Sequence, residues 1–143
     1  LGTGRAKLYI VRADHPLFAP LSQLFKAEEE RYSNILGAIG KIADADEAIL
    51  AVWLYGSVAR KDDNLHSDLD LALAVKRGKA STVEAKFRDA IASLEELWAF
   101  DSSVIAIDID DIARLSRDAD PWWSSLNRDA LAIRGERPDL LLR

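Results

Sequence analysis

Residues 54–75, LYGSVARKDDNLHSDLDLALAV, decide the fold because they hold the end of one apolar run and the whole of the next. AILAVWLYG (48–56) is almost continuously apolar and ends in glycine, which is typical of a strand covered on both faces. DLDLALAV (68–75) predicts a second strand. Side chains alternate along a strand, so Asp68 and Asp70 point to one side, roughly 7 Å apart along the backbone. The opposite, core-facing side carries Leu69, Leu71, Leu73 and Val75.

The acids of this second strand favour a cation site. Two neighbouring carboxylates raise each other's pKa unless a cation lies between them. Oxygen ligands without cysteine suit a hard ion such as Mg²⁺, which takes one or two carboxylates together with substrate phosphates. The structural alternative is a strand end with two solvated acids, and the Gly56-Ser57 pair upstream argues against it.

Gly56-Ser57 stands where the first strand ends and SVAR opens a helix. Such a junction presents backbone N–H groups and a positive dipole end to an anion. Glycine allows a phosphate to approach the backbone, and a serine hydroxyl adds a donor. Arg60 and Lys61 add positive charge one turn on, although an exposed helix turn explains them equally well. This combination suits a nucleoside triphosphate whose metal is held by Asp68 and Asp70.

Outward from this stretch, hydrophobic periodicity predicts the remaining elements. A strand is expected in AKLYIVR (6–12), then a long helix capped by Asp14 with Pro16 in its first turn. Ser81 to Glu84 form a capping-box pattern before a helix, SVIAIDI (103–109) is a third strand, and a short helix covers 111–118. Asp120-Pro121 opens a last helix that runs through WWSSLNRDALAI. The chain is therefore predicted to be an α/β (α+β) domain with a small mixed sheet flanked by helices.

Composition restricts the class of protein. A chain of 143 residues suits one domain, and the absence of cysteine excludes disulfides and thiolate chemistry. A net charge of −5 argues against nucleic-acid binding over the whole surface. There is no apolar stretch of about 20 residues and no signal-peptide pattern at the start. A cytoplasmic protein is expected.

Gly-Ser, ten intervening residues and Asp-Leu-Asp-Leu together resemble the signature of the nucleotidyltransferases of the DNA polymerase β superfamily. GSVAR…SDLDLALAV is most similar to the small bacterial minimal nucleotidyltransferases, which are related to kanamycin nucleotidyltransferase. The motif covers about twenty residues, and the element order extends the similarity over about 40–130. The resemblance implies the palm-like fold of that superfamily and transfer of a nucleoside monophosphate from NTP to an acceptor, with pyrophosphate leaving.

The resemblance also assigns roles to residues. Gly56 and Ser57 would hold the phosphates, with Arg60, Lys61 and Ser67 as further nucleotide-binding candidates. Asp68 and Asp70 would be the catalytic, metal-binding acids, compatible with two Mg²⁺ ions about 3.5–4 Å apart. ATP is the expected nucleotide, and the expected acceptor is a toxin protein or a tRNA end.

Family members carry a third carboxylate on the neighbouring strand, and this chain departs from them there. Ser103 and Ile105 occupy the expected positions, Asp101 lies at the strand's edge, and Asp108 has the opposite parity. The third carboxylate is therefore predicted to be missing. Its loss would affect catalytic turnover more than the binding of metal and NTP. The alternative function is a catalytically weak, NTP-binding regulatory or antitoxin module.

The N-terminus carries a second, shorter resemblance. GRAKLYIVRADHPLFAPL is similar to the last wing strand and linker of winged-helix regulators fused to such a domain. This implies a strand and linker over 1–14, a nucleotidyltransferase domain over 15–143, and DNA contact only through a segment upstream of residue 1. A homodimer is a further expectation.

The remaining polar and aromatic candidates have simpler structural explanations. Asp108, Asp110 and Asp111 are interpreted as a helix start, with Asp108 as the cap. Trp122 and Trp123 are expected to pack on the body of the protein or on a partner rather than to stack on a base. His66 is interpreted as a surface residue.

Overall fold

The computed structural model describes residues 12–61 and 68–142. Its elements in chain order are α1 (Phe18–Asp44), β1 (Ile49–Tyr55), α2 (Gly56–Arg60), β2 (Leu69–Val75), α3 (Ala80–Trp98), β3 (Ser102–Asp108), α4 (Ile109–Arg117), α5 (Pro121–Asp129) and β4 (Leu131–Arg134). The chain divides into two compact units, Leu1–Ser33 and Asn34–Arg143. No helix in the described part of the chain is long and apolar enough to cross a membrane.

The long helix starts later in the structure than the sequence predicts. α1 begins at Phe18, and Asp14 does not cap it, because the Asp14 carboxylate is paired with Arg12 at 2.9 Å. In the turn that precedes the helix, the Nδ1 atom of His15 accepts a hydrogen bond from the backbone N–H of Leu17 at 3.2 Å. Residues 6–11 of the strand predicted over 6–12 lie outside the described part of the chain, and Arg12 is not in a strand.

The second unit is built on the mixed sheet that the sequence predicts. Its strand order is β3-β2-β1-β4, with β1 antiparallel to both β2 and β4 and with β2 parallel to β3. The sequence analysis did not predict β4. It extended the last helix to Ile133, whereas this helix ends at Asp129. The apolar spacing of LAI fits either a helix or a strand, and pairing with β1 selects the strand.

Side chains of β2 alternate between the two faces of the sheet, and each face packs against a separate layer of helices. Leucines and a valine on one face are buried among α1 and α3 residues such as Ile39, Phe87 and Ile91. The other face carries Ala72 and Ala74, which pack with residues of α4 and α5 that include Ile112, Trp123 and Leu126. The predicted division of faces is confirmed, and Asp70 lies at the end of the alanine-bearing face.

The capping box predicted for α3 is wrong. The helix begins at Ala80, and Lys79 at its N-cap forms no side-chain capping bond within the described residues. Glu84 instead accepts a hydrogen bond from the backbone N–H of Ala106 in β3 at 2.9 Å, and Arg88 donates to the carbonyl oxygen of Val104 at 2.6 Å. Side chains of α3 thus satisfy backbone groups along the edge strand β3, which would otherwise be open to pairing.

The cap predicted for α4 is confirmed, and α5 starts at Asp120-Pro121 as predicted. Asp108 accepts hydrogen bonds from the backbone N–H groups of Asp110 and Asp111, and Asp120 accepts from those of Trp122 and Trp123. The pKa of Asp108 lies below the ordinary carboxyl value, mainly because these and the Gly78 backbone N–H groups bond its charged form. Asp108 is therefore engaged in holding the β3–α4 junction.

Candidate functional site

The turn from β1 into α2 requires glycine at position 56. The backbone of Gly56 has φ +76°, a conformation that side chains disfavour. A Cβ atom at this position would overlap the Asp70 carboxylate oxygen and lie 3.0 Å from its carboxyl carbon. Gly56 therefore allows the carboxylate of β2 to pack directly against the start of α2, which brings the two halves of the motif into one site.

α2 begins differently from the helices that aspartates cap. Tyr55 holds the N-cap position in an extended conformation and forms no side-chain capping bond with any described residue. Ser57 follows in the first turn and is half-buried, and Lys61 ends the helix in the left-handed conformation with an exposed side chain. The start of α2 thus combines a required glycine and a serine without an aspartate cap that would repel an anion.

Asp68, just before β2, lies close enough for its charge to act on the Asp70 carboxylate in β2. Asp68 is exposed and Asp70 is half-buried. Burial raises the pKa of Asp70 above its ordinary value, the charge of Asp68 raises it further, and the charge of Arg60 opposes the rise. A cation bound between the two carboxylates would relieve this repulsion. The two-oxygen donor set, open to solvent at Asp68, fits a hard divalent ion such as Mg²⁺ that keeps most of its other ligands from water or phosphate.

The neighbouring strand β3 runs parallel to β2 in a register that pairs Asp70 with Ser103. Ser103 is exposed, and Ile105 beyond it is 40% exposed. Asp108 caps α4, and the Asp101 backbone carbonyl accepts a hydrogen bond from Leu69 at 2.9 Å. Among residues 12–61 and 68–142, no group of three histidine, aspartate or glutamate side chains could hold a metal ion.

A pocket beside the motif contains residues that the sequence analysis did not select as site residues. It has a volume of about 210 Å³ and is lined by Tyr55, Gly56, Arg60, Trp122, Ser125, Leu126 and Asp129. Trp122 meets Tyr55 edge to face, with ring centroids 5.9 Å apart, and donates a hydrogen bond to it. Burial raises the pKa of Tyr55, and the charge of Asp70 adds to the rise. α5 therefore forms one wall of the site, and its Trp123 packs in the core against Trp53 as expected.

Asp129 is the least expected residue of this wall. Its side chain is 15% exposed, and its carboxylate receives two hydrogen bonds from Arg128, at 2.8 and 2.9 Å. The pKa of Asp129 is lowered mainly by Arg128 and further by the charge of Arg60. The sequence signal that could have identified Asp129 is its position at the end of a helix, where an acid is unfavourable because it opposes the helix dipole.

The structure brings Gly56, Arg60 and Asp70 together, with Ser57 and Asp68 adjacent to them in the chain. Lys61 stands at the exposed end of α2, outside the residues that line the pocket. Ser67 and His66 lie outside the described residues.

These features define a nucleotidyltransferase fold, and comparison with known families agrees. The sequence model of the family "Polymerase beta, Nucleotidyltransferase" matches residues 38–117. The chain belongs to this family, which confirms the resemblance to the DNA polymerase β superfamily and the mixed α/β fold that it implied.

Other comparisons add little detail. A search of curated proteins gives no significant match. A solved structure described as "Crystal structure of the toxin-antitoxin with AMP-PNP" is similar to 78% of this chain and 76% of its own, with 16% identity and a TM-score of 0.46.

Proposed function

We propose that this chain is a Mg²⁺-dependent nucleotidyltransferase that transfers a nucleoside monophosphate from NTP, with ATP the expected nucleotide. The acceptor is proposed to be a protein or a nucleic acid, such as a toxin protein or a tRNA end, and the compartment the cytoplasm. In the reaction an acceptor oxygen bonds to the α-phosphorus, the bond from that phosphorus to the bridging oxygen breaks, and pyrophosphate leaves. The contact between Gly56 and Asp70 carries the proposal, because it sets a phosphate-binding turn against a metal-binding acid.

Each candidate residue has a defined task in this proposal. The backbone at Gly56 and Ser57 binds the phosphates, and Arg60 offsets their negative charge from the α2 wall of the pocket. Lys61 and Ser67 are proposed as further phosphate contacts. Asp68 and Asp70 would hold the metal, which when bound supplies positive charge to the phosphate oxygens as the transferring group is released.

The second candidate function is an NTP-binding regulatory or antitoxin module with little turnover, acting with a winged-helix DNA-binding segment upstream of residue 1. The register of β3 supports this candidate, because Ser103 stands beside Asp70 where a third acid would help activate the acceptor. Serine can orient a hydroxyl or water but is a poor proton acceptor at neutral pH.

Two labelling experiments separate the candidates. The protein is incubated with Mg²⁺ and ATP labelled at the α- or the γ-phosphate, in the presence of tRNA or a cell extract. A transferase places the α-label, and not the γ-label, on a macromolecule, and Asp68→Asn/Asp70→Asn abolishes the labelling. A binding module retains ATP without covalent labelling, and that result would exclude the transferase proposal for these acceptors.

A further inference from the structure

Asp129 lies at a helix position where the helix dipole disfavours an acid, and its carboxylate pairs with Arg128. It is the last residue of α5, where a negative charge opposes the dipole of the helix. The carboxylate is nonetheless largely covered, with 15% of the side chain exposed, so its placement carries a desolvation cost as well. Arg128 holds the pKa of Asp129 below its ordinary value, so this wall of the pocket carries a negative charge at neutral pH.

The surroundings of Asp129 indicate what that role is. It lines the same pocket as Gly56 and Arg60, where the phosphates are proposed to bind. Arg60 interacts electrostatically with Asp129 on one side and with Asp70 on the other. The positive charge that would attract a bare polyphosphate is thus balanced from two directions. Arg128, which pairs with Asp129, lies at the surface with 73% of its side chain exposed.

We propose that Asp129 is a specificity-determining residue that makes the pocket select the metal complex of a nucleoside triphosphate over the metal-free polyanion. The inference rests on the proposed nucleotide site. Coulomb repulsion scales with the charge of the ligand, and metal-free ATP carries roughly twice the negative charge of its Mg²⁺ complex. Asp129 therefore disfavours the metal-free form more strongly, which keeps the site from filling with nucleotide that lacks the ion.

The test is calorimetric titration of the full chain with ATP, once with excess Mg²⁺ and once with EDTA. For Asp129→Asn we expect metal-free ATP to bind about tenfold tighter and Mg·ATP about threefold tighter, as the charge ratio requires. Asp129→Glu should restore the discrimination of the wild type. Asp139→Asn is the matched control, because it also removes an acid paired with a nearby arginine, at 3.3 Å, but lies outside the pocket. It should change neither affinity.

Two results would overturn the inference in distinguishable ways. If the wild type binds Mg·ATP through Asp68 and Asp70 but Asp129→Asn shifts both affinities equally or not at all, Asp129 has no selective role and the proposed function stands. If the wild type binds no Mg·ATP, both proposals fail together. Thermal unfolding of each variant shows whether a changed affinity comes from a changed fold.

Discussion

Strands β2 and β3 lie side by side, run in the same direction and are paired in register, yet they differ where the chemistry is expected. Asp68 directly precedes β2 and Asp70 lies near its start, whereas the position of β3 beside Asp70 is Ser103. The strand that would hold metal and nucleotide thus has its acids, and the strand that would complete the site for transfer has a hydroxyl. The difference shows that the two strands carry different chemical groups at paired positions, so the proposed nucleotide binding and the proposed turnover can be tested separately.

Adding the acid that β3 lacks should have the largest effect. Ser103→Asp places a carboxylate beside Asp70, where it can act as a general base, a contribution of about 100-fold or more to rate. We expect release of pyrophosphate from Mg·ATP, to water or to the protein itself, to rise by about that factor.

Ser93→Asp is the matched control for this gain of function. It makes the same substitution at an exposed position of α3 and should leave pyrophosphate release unchanged. Fast release by the wild type, with no gain in Ser103→Asp, would show that the β3 position does not limit turnover.

Gly56→Ala disrupts the β2 side of the comparison. The added methyl group overlaps the Asp70 carboxylate and stands on a backbone with φ +76°, so a cost of about 1–3 kcal/mol in stability is expected. Displacement of Asp70 should also weaken Mg·ATP binding at least about tenfold, measured by calorimetry beside chemical denaturation.

Gly37→Ala provides the corresponding control in α1. A Cβ atom there meets no described atom within 4 Å, and the helix interior favours alanine, so stability should rise by up to about 1 kcal/mol. Equal tolerance of the two substitutions would mean that the Gly56–Asp70 contact is not present in solution.

The smallest effect is expected from removing a side-chain hydrogen bond to the edge strand β3. Glu84→Ala removes the acceptor for the Ala106 N–H and should cost about 1–2 kcal/mol of unfolding free energy. Binding of Mg·ATP should not change, because the acids proposed to bind the metal lie at the start of β2 and not in β3. Glu96→Ala, at an exposed site of the same helix, should stay within about 0.5 kcal/mol of the wild type. A large loss of nucleotide affinity in Glu84→Ala alone would show that β3 contributes to binding.

The sequence predicted those features that depend on local pattern. The alternation of β2 sets which residues are buried, and the aspartate caps of α4 and α5 need only the following two or three backbone N–H groups. The features it missed depend on partners distant in the chain. Glu84 bonds β3 instead of its own helix end, and the assignment of 131–134 to a strand depends on pairing with β1. Asp129 is part of the site because α5 packs beside α2, which the sequence does not indicate.

The most direct test of the account is calorimetric titration of Mg²⁺ and ATP into the wild type and into Asp68→Asn/Asp70→Asn. The account predicts that ATP binds the wild type much more tightly when Mg²⁺ is present and that the double variant, still folded by circular dichroism, shows no such gain from Mg²⁺. Equal metal-dependent affinity in both proteins would contradict the assignment of the site to β2.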